Sequence, residues 1–333
     1  KWLTNRGVLV NELEDKLKTY LDVKNLTLTA NGTLPIQIAI KTLALTGEII
    51  TTPFSYFATT SSIVWENCTP IFVDIDLEYL TIDENKIEAL ITEKTTAILA
   101  THVFGNPCNV KKIEKIAKDY NLKVIYDAAH CFGVKYKGKS IFNYGDLSTC
   151  SFHATKIFHT GEGGCWATNN DDLQEELYSH HNFGHDGPET FHGLGINAKM
   201  SELQADMGLA VLPYREEILE NRKEVISNYN KMLQGKNIQI MKIRPDTKWN
   251  YSYYPVIFET EEQLLAVKKA LNQSDIYPRR YFYPSLNTLN YTNGLKMENS
   301  ESIALRILCL PLYSGLQAEE VNLIINIINK TIN

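Results

Sequence analysis

Short apolar segments alternate with helix-forming segments between about residue 25 and residue 130, and no other feature of the sequence constrains the fold as strongly. Nearly continuous apolar strands that alternate with helices are typical of a mostly parallel sheet covered by helices on both faces. We therefore expect an α/β fold, in which ligands lie at the carboxyl ends of the strands. The predicted strands are Leu26–Ala30, Glu48–Thr51, Pro70–Asp74, Ala97–Val103 and Leu122–Tyr126, and the predicted helices are Leu9–Leu21, Thr33–Leu45 and Val110–Tyr120.

The pattern changes after Ser201, where long and charged helical stretches replace the alternating segments. We therefore predict a large domain over residues 1–213 and a smaller C-terminal α/β domain over residues 214–333. Two joined domains also form a cleft that can hold a ligand. The elements predicted in this half are helices at Ser201–Val211, Glu216–Leu233, Glu261–Leu271 and from Ala318 onward, and a strand at Tyr251–Phe258.

Composition and charge exclude several classes of protein. The formal net charge of −6 argues against a general nucleic-acid or anionic-membrane binder. No stretch approaches the ~20 apolar residues that a membrane-spanning helix needs. The cysteines are scattered without a Cys-x-x-Cys pair, so we expect reduced thiols in a cytoplasmic protein and no metal site. They are Cys68, Cys108, Cys131, Cys150, Cys165 and Cys309.

Asp127 directly follows an apolar strand, in the segment Val124–His130. Because the carboxyl ends of parallel strands open into the ligand crevice of an α/β fold, a carboxylate at this position is expected to face a site. The alternative is a helix N-cap, since aspartate commonly starts a helix after a strand. The segment taken alone leaves both interpretations open.

Lys156 lies between two predicted strands, in a loop that continues into the small-residue turn Thr160–Gly164. A lone lysine in a turn is usually a solvated surface charge. Here the apolar strands on both sides and the small residues around the turn indicate an interior loop instead. A lysine held there would lose solvation, its pKa would fall, and the neutral amine could attack an aldehyde.

Two other segments follow strands and have the composition of ligand-binding turns. Thr29–Thr33 leads into a helix, where backbone amides and the Thr33 hydroxyl would suit a phosphate, although capped helices after strands are common. The aromatic residues of Thr52–Thr59 offer a face that could stack on a flat heterocycle, with core packing as the alternative. The sequence contains no Gly-x-Gly-x-x-Gly motif, so a dinucleotide-binding fold is poorly supported.

Taken in order, these motifs resemble those of the DegT/DnrJ/StrS family of nucleotide-sugar aminotransferases. That family uses pyridoxal 5′-phosphate (PLP) and has the aspartate aminotransferase fold, known as fold type I. The resemblance covers nearly the whole chain and is strongest from about residue 25 to residue 205. It rests on Asn31–Thr33, Pro53–Thr59, Asp127–His130, Ser151–Lys156, Thr160–Gly164 and Gly195–Glu202.

The resemblance implies a role for each matching residue. Lys156 is expected to carry the cofactor as a Schiff base and to move the proton between substrate and cofactor. Asp127 is expected to pair with the pyridinium nitrogen, which keeps the ring an electron sink. The other expected cofactor residues are Gly32, Thr33 and Ser151 at the phosphate, Tyr56 on the ring face, His130 at the ring hydroxyl and Asn197 at the phosphate of the neighbouring subunit. The role of Asn197 implies a homodimer with shared active sites.

The chain departs from the commoner family pattern at several positions. Many family members have glutamine at the position of His130 and arginine at the position of Lys199. Histidine can still donate to the ring oxygen, but the protonation of the cofactor is expected to be tuned differently. The first residues, Lys1–Asn5, do not resemble a signal peptide. They resemble the middle of a longer chain, so we expect further native residues before Lys1. Part of the wall of the substrate site is expected to belong to those residues.

The sequences of Asp127–His130 and Ser151–Lys156 are similar to the corresponding motifs in the family branch that acts on dTDP-linked 6-deoxy-ketosugars. The substrate is therefore expected to be dTDP-4-keto-6-deoxy-D-glucose, aminated at the 4-keto position with L-glutamate as donor and 2-oxoglutarate as co-product. The aromatic and basic segment Tyr277–Pro284 is similar to the family segment near the nucleotide sugar, with an ordinary surface edge strand as the alternative. Its candidate substrate residues are Arg279, Arg280, Tyr281 and Tyr283.

Three other functions remain open at this point. They are amination of a 3-keto sugar, PLP-dependent dehydration of a sugar, and noncatalytic sensing of a nucleotide sugar. Some dehydrating relatives have histidine in place of the Schiff-base lysine, so Lys156 favours transamination. The presence of both Lys156 and Asp127 weighs against a sensor, and no nucleic-acid or membrane partner is expected.

Overall fold

The computed structural model describes residues 6–187 and 189–332. Our expectation about Lys1–Asn5 therefore lies outside the described residues. The strands are β1 (Asn25–Thr29), β2 (Glu48–Thr51), β3 (Thr69–Phe72), β4 (Thr95–Thr101), β5 (Lys123–Asp127), β6 (Lys135–Tyr136), β7 (Lys139–Ser140), β8 (Leu147–Ser151), β9 (Gly164–Thr168), β10 (Gln239–Ile240), β11 (Thr247–Lys248), β12 (Tyr254–Ile257) and β13 (Ile307–Leu310). The helices are α1 (Val8–Leu21), α2 (Leu34–Thr42), α3 (Phe57–Trp65), α4 (Val110–Asp119), α5 (Asp171–His181), α6 (Glu202–Val211), α7 (Arg215–Leu233), α8 (Glu261–Asn272), α9 (Glu298–Arg306) and α10 (Ala318–Ile332).

A seven-stranded sheet in the order β1-β9-β8-β5-β4-β2-β3 forms the centre of the molecule. The pairs β2–β3, β2–β4, β4–β5 and β5–β8 are parallel, and β9 is antiparallel to both of its neighbours, β1 and β8. The predicted α/β class with a mostly parallel sheet is therefore confirmed. The carboxyl ends of β2, β4, β5 and β8 meet along one edge, which is where such sheets bind ligands.

Alternate residues of the central strands pack against helices on opposite faces of the sheet. Ile98 and Ala100 of β4 belong to a core formed with α1, α4 and α6. Ala97 and Leu99 of the same strand belong to a second core, formed with α2, α3 and α5. This alternation follows from the two-residue period of a strand. It explains why β4 is apolar at every position from Ala97 to Ala100, and it confirms the prediction that helices cover both faces.

Helix α4 shows how local sequence produces this packing. Its apolar residues recur at helical spacing, so Val110, Ile113 and Ile116 are buried against the sheet while the lysines between them face solvent. The Asn109 side chain caps the helix by accepting a hydrogen bond from the Lys112 amide at 3.3 Å. Truncating Ile113 to alanine would cost about 2–5 kcal/mol, the usual range for a fully buried isoleucine.

Several predicted elements were too long, including the strand predicted over Tyr251–Phe258, which covers only Tyr254–Ile257. The backbone explains two of these errors. The strand predicted over Ala97–Val103 ends at Thr101, because the chain turns there and Phe104 adopts a left-handed conformation with a φ of 54°. The helix predicted over Thr33–Leu45 ends at Thr42, and Ala44 has a left-handed φ of 50°. Apolar periodicity continues through both turns, so it does not reveal where the element stops.

The C-terminal third of the chain has its own hydrophobic core. Helices α7, α8 and α10 pack on a three-stranded sheet in the order β10-β12-β13, and their apolar residues form one buried cluster that includes Tyr229, Val256 and Ile325. On this basis we propose that the domain boundary falls near Pro213. Across the described ranges, 6–187 and 189–332, no helix combines the length and apolar character needed to cross a membrane.

Candidate active site

A cavity of about 440 Å³ opens at the carboxyl edge of the central sheet. It brings together residues from segments far apart in the sequence, because parallel strands deliver their following loops to the same edge. Most of the residues singled out in the sequence line it. They are Gly32, Thr33, Tyr56, Asp127, His130, Ser151, Lys156 and Tyr281.

Asp127 is the last residue of β5, and its carboxylate is buried at the floor of this cavity. The Thr59 hydroxyl donates to Oδ2 at 2.6 Å and the Ala129 amide donates to Oδ1 at 3.1 Å. Burial raises the pKa of Asp127, while these two hydrogen bonds act in the opposite direction. The residues after Asp127 form a turn rather than a helix, so Asp127 is not an N-cap.

The loop that carries Lys156 is held by its own backbone hydrogen bonds. The Phe152 amide donates to the Gly163 carbonyl at 2.8 Å, and the Lys156 amide donates to the His153 carbonyl at 2.8 Å. Phe152 is fully buried and packs edge-on against Phe158, with ring centroids 4.9 Å apart. The lysine thus projects from an anchored turn, but His153, Ala154 and Thr155 of the same turn are exposed, so the loop is not the fully interior one that was predicted.

The Lys156 side chain is partly buried beside the cavity. Its Nζ lies 3.4 Å from the Tyr253 hydroxyl. Burial lowers the pKa of Lys156 to about 8, and the nearby charge of Asp127 partly offsets this effect. A substantial fraction of the amine is therefore neutral near physiological pH, which is the form that attacks an aldehyde.

Gly32 and Ser151 meet at the end of the cavity nearest helix α2. A Cβ added to Gly32 would lie 2.7 Å from Ser151 Cβ, so only glycine allows β8 to approach this closely. Gly164 meets a similar limit, because its Cβ would lie 2.7 Å from Gly32 Cα. The two glycines draw the ends of β1, β8 and β9 together and leave a narrow cradle.

The donors in this cradle differ in part from those predicted. Asn31 Oδ1 already accepts hydrogen bonds from the Thr33 amide at 2.9 Å and the Leu34 amide at 3.0 Å. Ser151 Oγ accepts from the His153 amide at 3.4 Å, so the hydroxyl hydrogen of Ser151 remains to be donated. In this arrangement a phosphate would meet the hydroxyls of Thr33 and Ser151 rather than those two amides.

The His130 ring is held in one tautomer. Its Nδ1 accepts a hydrogen bond from the Phe104 amide at 3.1 Å, which requires an unprotonated Nδ1. Burial, with a smaller contribution from the charge of Lys156, lowers the pKa of His130 well below its ordinary value. The neutral ring therefore carries its hydrogen on Nε2, and His130 is a hydrogen-bond donor in the wall of the cavity.

The aromatic residues after β2 divide between packing and lining the cavity. Phe54 is fully buried, with its ring centroid 5.5 Å from that of Phe282. Tyr56 is 51% exposed, lines the cavity and lies 6.2 Å from the ring of Tyr281. Core packing thus accounts for Phe54, whereas Tyr56 lines the cavity with an exposed ring.

The two neighbouring arginines are in different surroundings. Arg279 lines a second cavity of about 800 Å³, which shares Thr155 and Lys156 with the first, and it donates to the Tyr281 hydroxyl at 3.2 Å. Arg280 instead forms an ion pair with Glu261 and stacks on Tyr283. In the part of the chain that the structure describes, Arg279 forms no ion pair.

Neither cavity is lined by Tyr283, Arg280 or Asn197. Asn197 forms a bridge with Asn182 and accepts a hydrogen bond from Lys199 at 2.8 Å. Its position outside the cavities of its own chain is compatible with the expectation that it acts on a neighbouring subunit.

Sequence reasoning missed four polar residues around the cavity. Thr59, Ser55 and Thr101 form a row of hydroxyls that begins at Asp127, and Tyr253 contacts Lys156 from the C-terminal third of the chain. Thr59 lies in the first turn of α3, whereas Ser55 precedes that helix, so helical spacing does not predict their contact. Thr101 and Tyr253 lie in apolar stretches, which gave no signal for either residue.

The residues present fit PLP. A buried carboxylate can accept from a pyridinium nitrogen, a lysine amine of lowered pKa can bind an aldehyde, and a fixed donor on His130 can meet a ring oxygen. The cradle formed by Gly32 and Ser151, which a Cβ would fill, has hydroxyl donors for a phosphate. These groups lie around a single cavity, as one bound cofactor requires.

Comparison with known proteins gives the same result. The sequence matches the DegT/DnrJ/EryC1/StrS aminotransferase family over residues 1–329. A dTDP-4-amino-4,6-dideoxy-D-glucose transaminase from Shigella dysenteriae is 38% identical over 337 residues, covering 99% of this chain and 92% of that protein. A GDP-perosamine synthase from Escherichia coli O157:H7 is 31% identical, covering 99% of this chain and 92% of that protein.

Solved structures agree with the family match. The structure of DesI with its TDP-sugar product superposes with a TM-score of 0.93 at 29% identity, covering 99% of this chain and 86% of that chain. A Streptococcus pneumoniae protein described as a sugar aminotransferase, in its PLP form, shares the fold with a TM-score of 0.91 at 24% identity. The match covers 100% of this chain and 94% of that chain. The chain therefore belongs to the DegT/DnrJ/EryC1/StrS family and is a PLP-dependent sugar aminotransferase of fold type I.

Proposed function

We propose that this aminotransferase moves the amino group of L-glutamate to C4 of dTDP-4-keto-6-deoxy-D-glucose. The observation that carries the proposal is the 38% identity, over 99% of the chain, to a dTDP-4-amino-4,6-dideoxy-D-glucose transaminase. A second transaminase of the same name, from Escherichia coli, is 38% identical over 334 residues. The GDP-perosamine synthase noted above is less similar, at 31%.

In this proposal Lys156 and Asp127 act directly on the reacting groups. PLP, when bound, supplies an aldehyde that exchanges amines and a ring that accepts electrons from the substrate carbon. The amine of Lys156 would hold the cofactor through its aldehyde, and as a free amine it would move the proton from the glutamate α-carbon. Asp127 accepts the hydrogen of the ring nitrogen and keeps that nitrogen positively charged.

Other residues bind and orient in the same proposal. The hydroxyls of Thr33 and Ser151 hold the phosphate beside Gly32, and Tyr56 covers one face of the ring. His130 donates from Nε2 to the ring oxygen, because the Phe104 amide occupies its Nδ1. These contacts fix the cofactor at both ends, so the aldehyde carbon stays within reach of Lys156.

The substrate side of the proposal depends on Arg279 rather than Arg280. The charge of Arg280 is already balanced by Glu261, whereas Arg279 faces the larger cavity beside Lys156. An arginine in that position can pair with the diphosphate of a nucleotide sugar. Tyr281 lines the cofactor cavity and accepts a hydrogen bond from Arg279, so it would position that side chain.

We also propose that the active unit is a homodimer in which Asn197 reaches the phosphate site of the partner. Large apolar side chains are exposed around this residue, including Phe191, Leu194 and Ile196, which are 67%, 69% and 44% exposed. Such a cluster is typical of a surface that is covered in an assembly.

A two-step assay with a panel of sugars tests the substrate proposal. The PLP-loaded protein is first incubated with L-glutamate, and 2-oxoglutarate is measured as the product of the first step. The glutamate-treated protein is then separated from small molecules and offered dTDP-linked and GDP-linked 4-keto-6-deoxy sugars and a dTDP-linked 3-keto sugar. We expect an aminosugar from the dTDP-linked 4-keto sugar. Amination of another member of the panel alone would replace this substrate, and water loss without amino transfer would indicate a dehydratase.

A further inference from the structure

Three buried hydroxyls form a row that begins at Asp127, and two of them, on Ser55 and Thr101, belong to residues that line the cavity. Thr59 Oγ1 is 2.6 Å from Asp127 Oδ2, and Ser55 Oγ is 2.7 Å from Thr59 Oγ1. Ser55 Oγ is in turn 2.9 Å from Thr101 Oγ1. Thr101 and Asp127 end the neighbouring strands β4 and β5 and are paired in register, while Thr59 lies in the first turn of α3 and Ser55 lies just before that helix. The row therefore belongs to the same sheet edge as the cavity.

The carboxylate fixes the direction of these hydrogen bonds. An ionised Asp127 can only accept, so the Thr59 hydroxyl must donate its one hydrogen to it. The Thr59 oxygen can then accept a hydrogen bond from the Ser55 hydroxyl, and the Ser55 oxygen can accept one from the Thr101 hydroxyl. All three hydroxyl groups point their hydrogens towards the carboxylate.

This order matters because all four side chains are shielded from water. Thr59 is 0% exposed, and Asp127 is 4% exposed. Hydrogen bonds in a chain of this kind polarise one another, and their effect is larger in a low-dielectric interior than in water. Burial alone would favour the protonated carboxyl, and a protonated Asp127 would no longer pair strongly with a positively charged ring nitrogen.

We infer that Thr59, Ser55 and Thr101 are positioning residues that keep Asp127 ionised and aimed at the PLP ring nitrogen. This inference rests on the proposed role of Asp127. Thr59 contacts the carboxylate directly and has the largest effect. Ser55 and Thr101 act through Thr59, so their removal has smaller effects in the same direction.

The chain offers a matched control in the residue next to Thr59. Thr60 lies in the same helix and is equally buried, at 0% exposure. Among the described residues its hydroxyl has no hydrogen-bond partner. The substitutions Thr59→Val and Thr60→Val therefore make the same change of shape in the same element, but only the first removes a donor to Asp127.

The test uses PLP labelled with ¹⁵N in its ring and full-length protein. Wild-type protein, Thr59→Val, Thr59→Ser and Thr60→Val are loaded with this cofactor, and the ¹⁵N chemical shift of the ring nitrogen reports its protonation without turnover. Equilibrium binding of PLP is measured on the same four proteins, and thermal unfolding of each apoprotein checks that it is folded.

We expect the Thr59→Val signal to move towards the position of an unprotonated ring and PLP binding to weaken roughly tenfold to a hundredfold, the usual effect of losing a hydrogen bond to a charged group. Thr59→Ser and Thr60→Val should resemble wild-type protein. A fully protonated ring nitrogen in Thr59→Val, or an equal loss of PLP affinity in Thr60→Val, would overturn the role inferred for the row of hydroxyls. Either result would leave the aminotransferase proposal intact. Failure of wild-type protein to bind PLP would overturn both.

Discussion

The backbone amide of Phe104 donates a hydrogen bond to Nδ1 of His130 at 3.1 Å, and Phe104 has a left-handed φ of 54°. A bulky residue rarely adopts this conformation without compensation from its surroundings. Here the turn directs an amide at the histidine ring and leaves Nε2 as the hydrogen-bearing nitrogen. We therefore propose that His130 donates to the ring oxygen of the cofactor, as the glutamine found at this position in many family members would.

This relationship predicts opposite results for two substitutions at one position. His130→Gln supplies another N–H donor and should keep the catalytic rate within several-fold of wild type. His130→Phe keeps a flat ring but removes the donor, so the pKa of the cofactor's ring hydroxyl should rise and activity should fall about tenfold to a hundredfold. A pH titration of the visible absorption of the PLP-loaded proteins measures this change. Identical titrations for the two variants would show that His130 does not donate to the ring.

The lowered pKa of Lys156 predicts how the apoprotein captures PLP. Only the neutral amine attacks the aldehyde, so the rate of covalent capture should rise with pH and reach half of its maximum near pH 8, because burial lowers the pKa of Lys156 to about 8. Stopped-flow absorption after mixing with PLP measures this rate. Lys156→Met should lose the reaction entirely, whereas a half-maximum near pH 10.5 would show that burial does not perturb the lysine.

The same pKa fixes the sign of an effect on stability. Between pH 8 and pH 10.5 the unfolded chain holds a proton on Lys156 that the folded apoprotein has released. The free energy of unfolding should therefore increase with pH across this window, and it should be independent of this lysine below it. Urea unfolding of wild-type apoprotein and of Lys156→Met, compared at pH 7 and pH 10, measures the difference. A difference that is unchanged by pH would contradict the assignment.

Local sequence was sufficient to predict the two central residues of the candidate site, and the family resemblance supplied most of the others. Asp127 ends one buried strand and Lys156 follows another, so the parallel sheet brings both to one edge. The row of hydroxyls was not predictable in the same way. Thr101 and Thr59 are ordinary strand and helix residues until the pairing of β4 with β5 places them beside the carboxylate. Contacts across strands depend on register, which a single sequence does not show.

The different surroundings of the two adjacent arginines predict different kinetic effects. Arg279→Ala should raise the KM for the nucleotide sugar about tenfold to a hundredfold, because it removes a charge that faces the larger cavity. Arg280→Ala breaks an ion pair with Glu261 and should change this KM little. Steady-state kinetics with both substrates measure the effects. A larger loss in Arg280→Ala would move the diphosphate site to that residue.

Close packing at Gly32 predicts that a single methyl group impairs both folding and cofactor binding. In Gly32→Ala the new Cβ would lie 2.7 Å from Ser151 Cβ, so strands β1 and β8 must separate at a cost of about 1–3 kcal/mol. Wild-type protein is the reference. Thermal stability and PLP affinity should both be lower in Gly32→Ala. Wild-type values for both in this variant would show that Gly32 does not form a close-packed cradle with Ser151.

The proposed role of Asn197 in the partner's site predicts complementation between two defective proteins. Lys156→Ala should be inactive, and Asn197→Ala should bind PLP weakly. If each site combines Lys156 of one subunit with Asn197 of the other, a mixed dimer contains one site with both wild-type residues. Co-expression with two different affinity tags, followed by purification of mixed dimers, should recover about half of the wild-type activity per dimer. No recovery would place both residues in the same subunit's site.

The boundaries of elements and the partners of charged residues depended on contacts that composition does not encode. Arg279 and Arg280 are identical in the sequence pattern, and only the position of Glu261 on α8 distinguishes them. Tyr253 is similarly hidden within an apolar stretch that was predicted as a strand, yet its hydroxyl lies 3.4 Å from the lysine amine. Packing within the C-terminal part of the chain determines the first relationship, and packing between the two parts determines the second.

The most direct test of the central claim is to locate the lysine that holds the cofactor. The PLP-loaded protein is reduced with sodium borohydride, digested and examined by tandem mass spectrometry, with protein first incubated with L-glutamate as the comparison. We expect the pyridoxyl-phosphate group on Lys156, and we expect glutamate to prevent its attachment by converting the cofactor to its free amine form. Label on a different lysine, or no label on a protein that binds PLP, would contradict the assignment of Lys156.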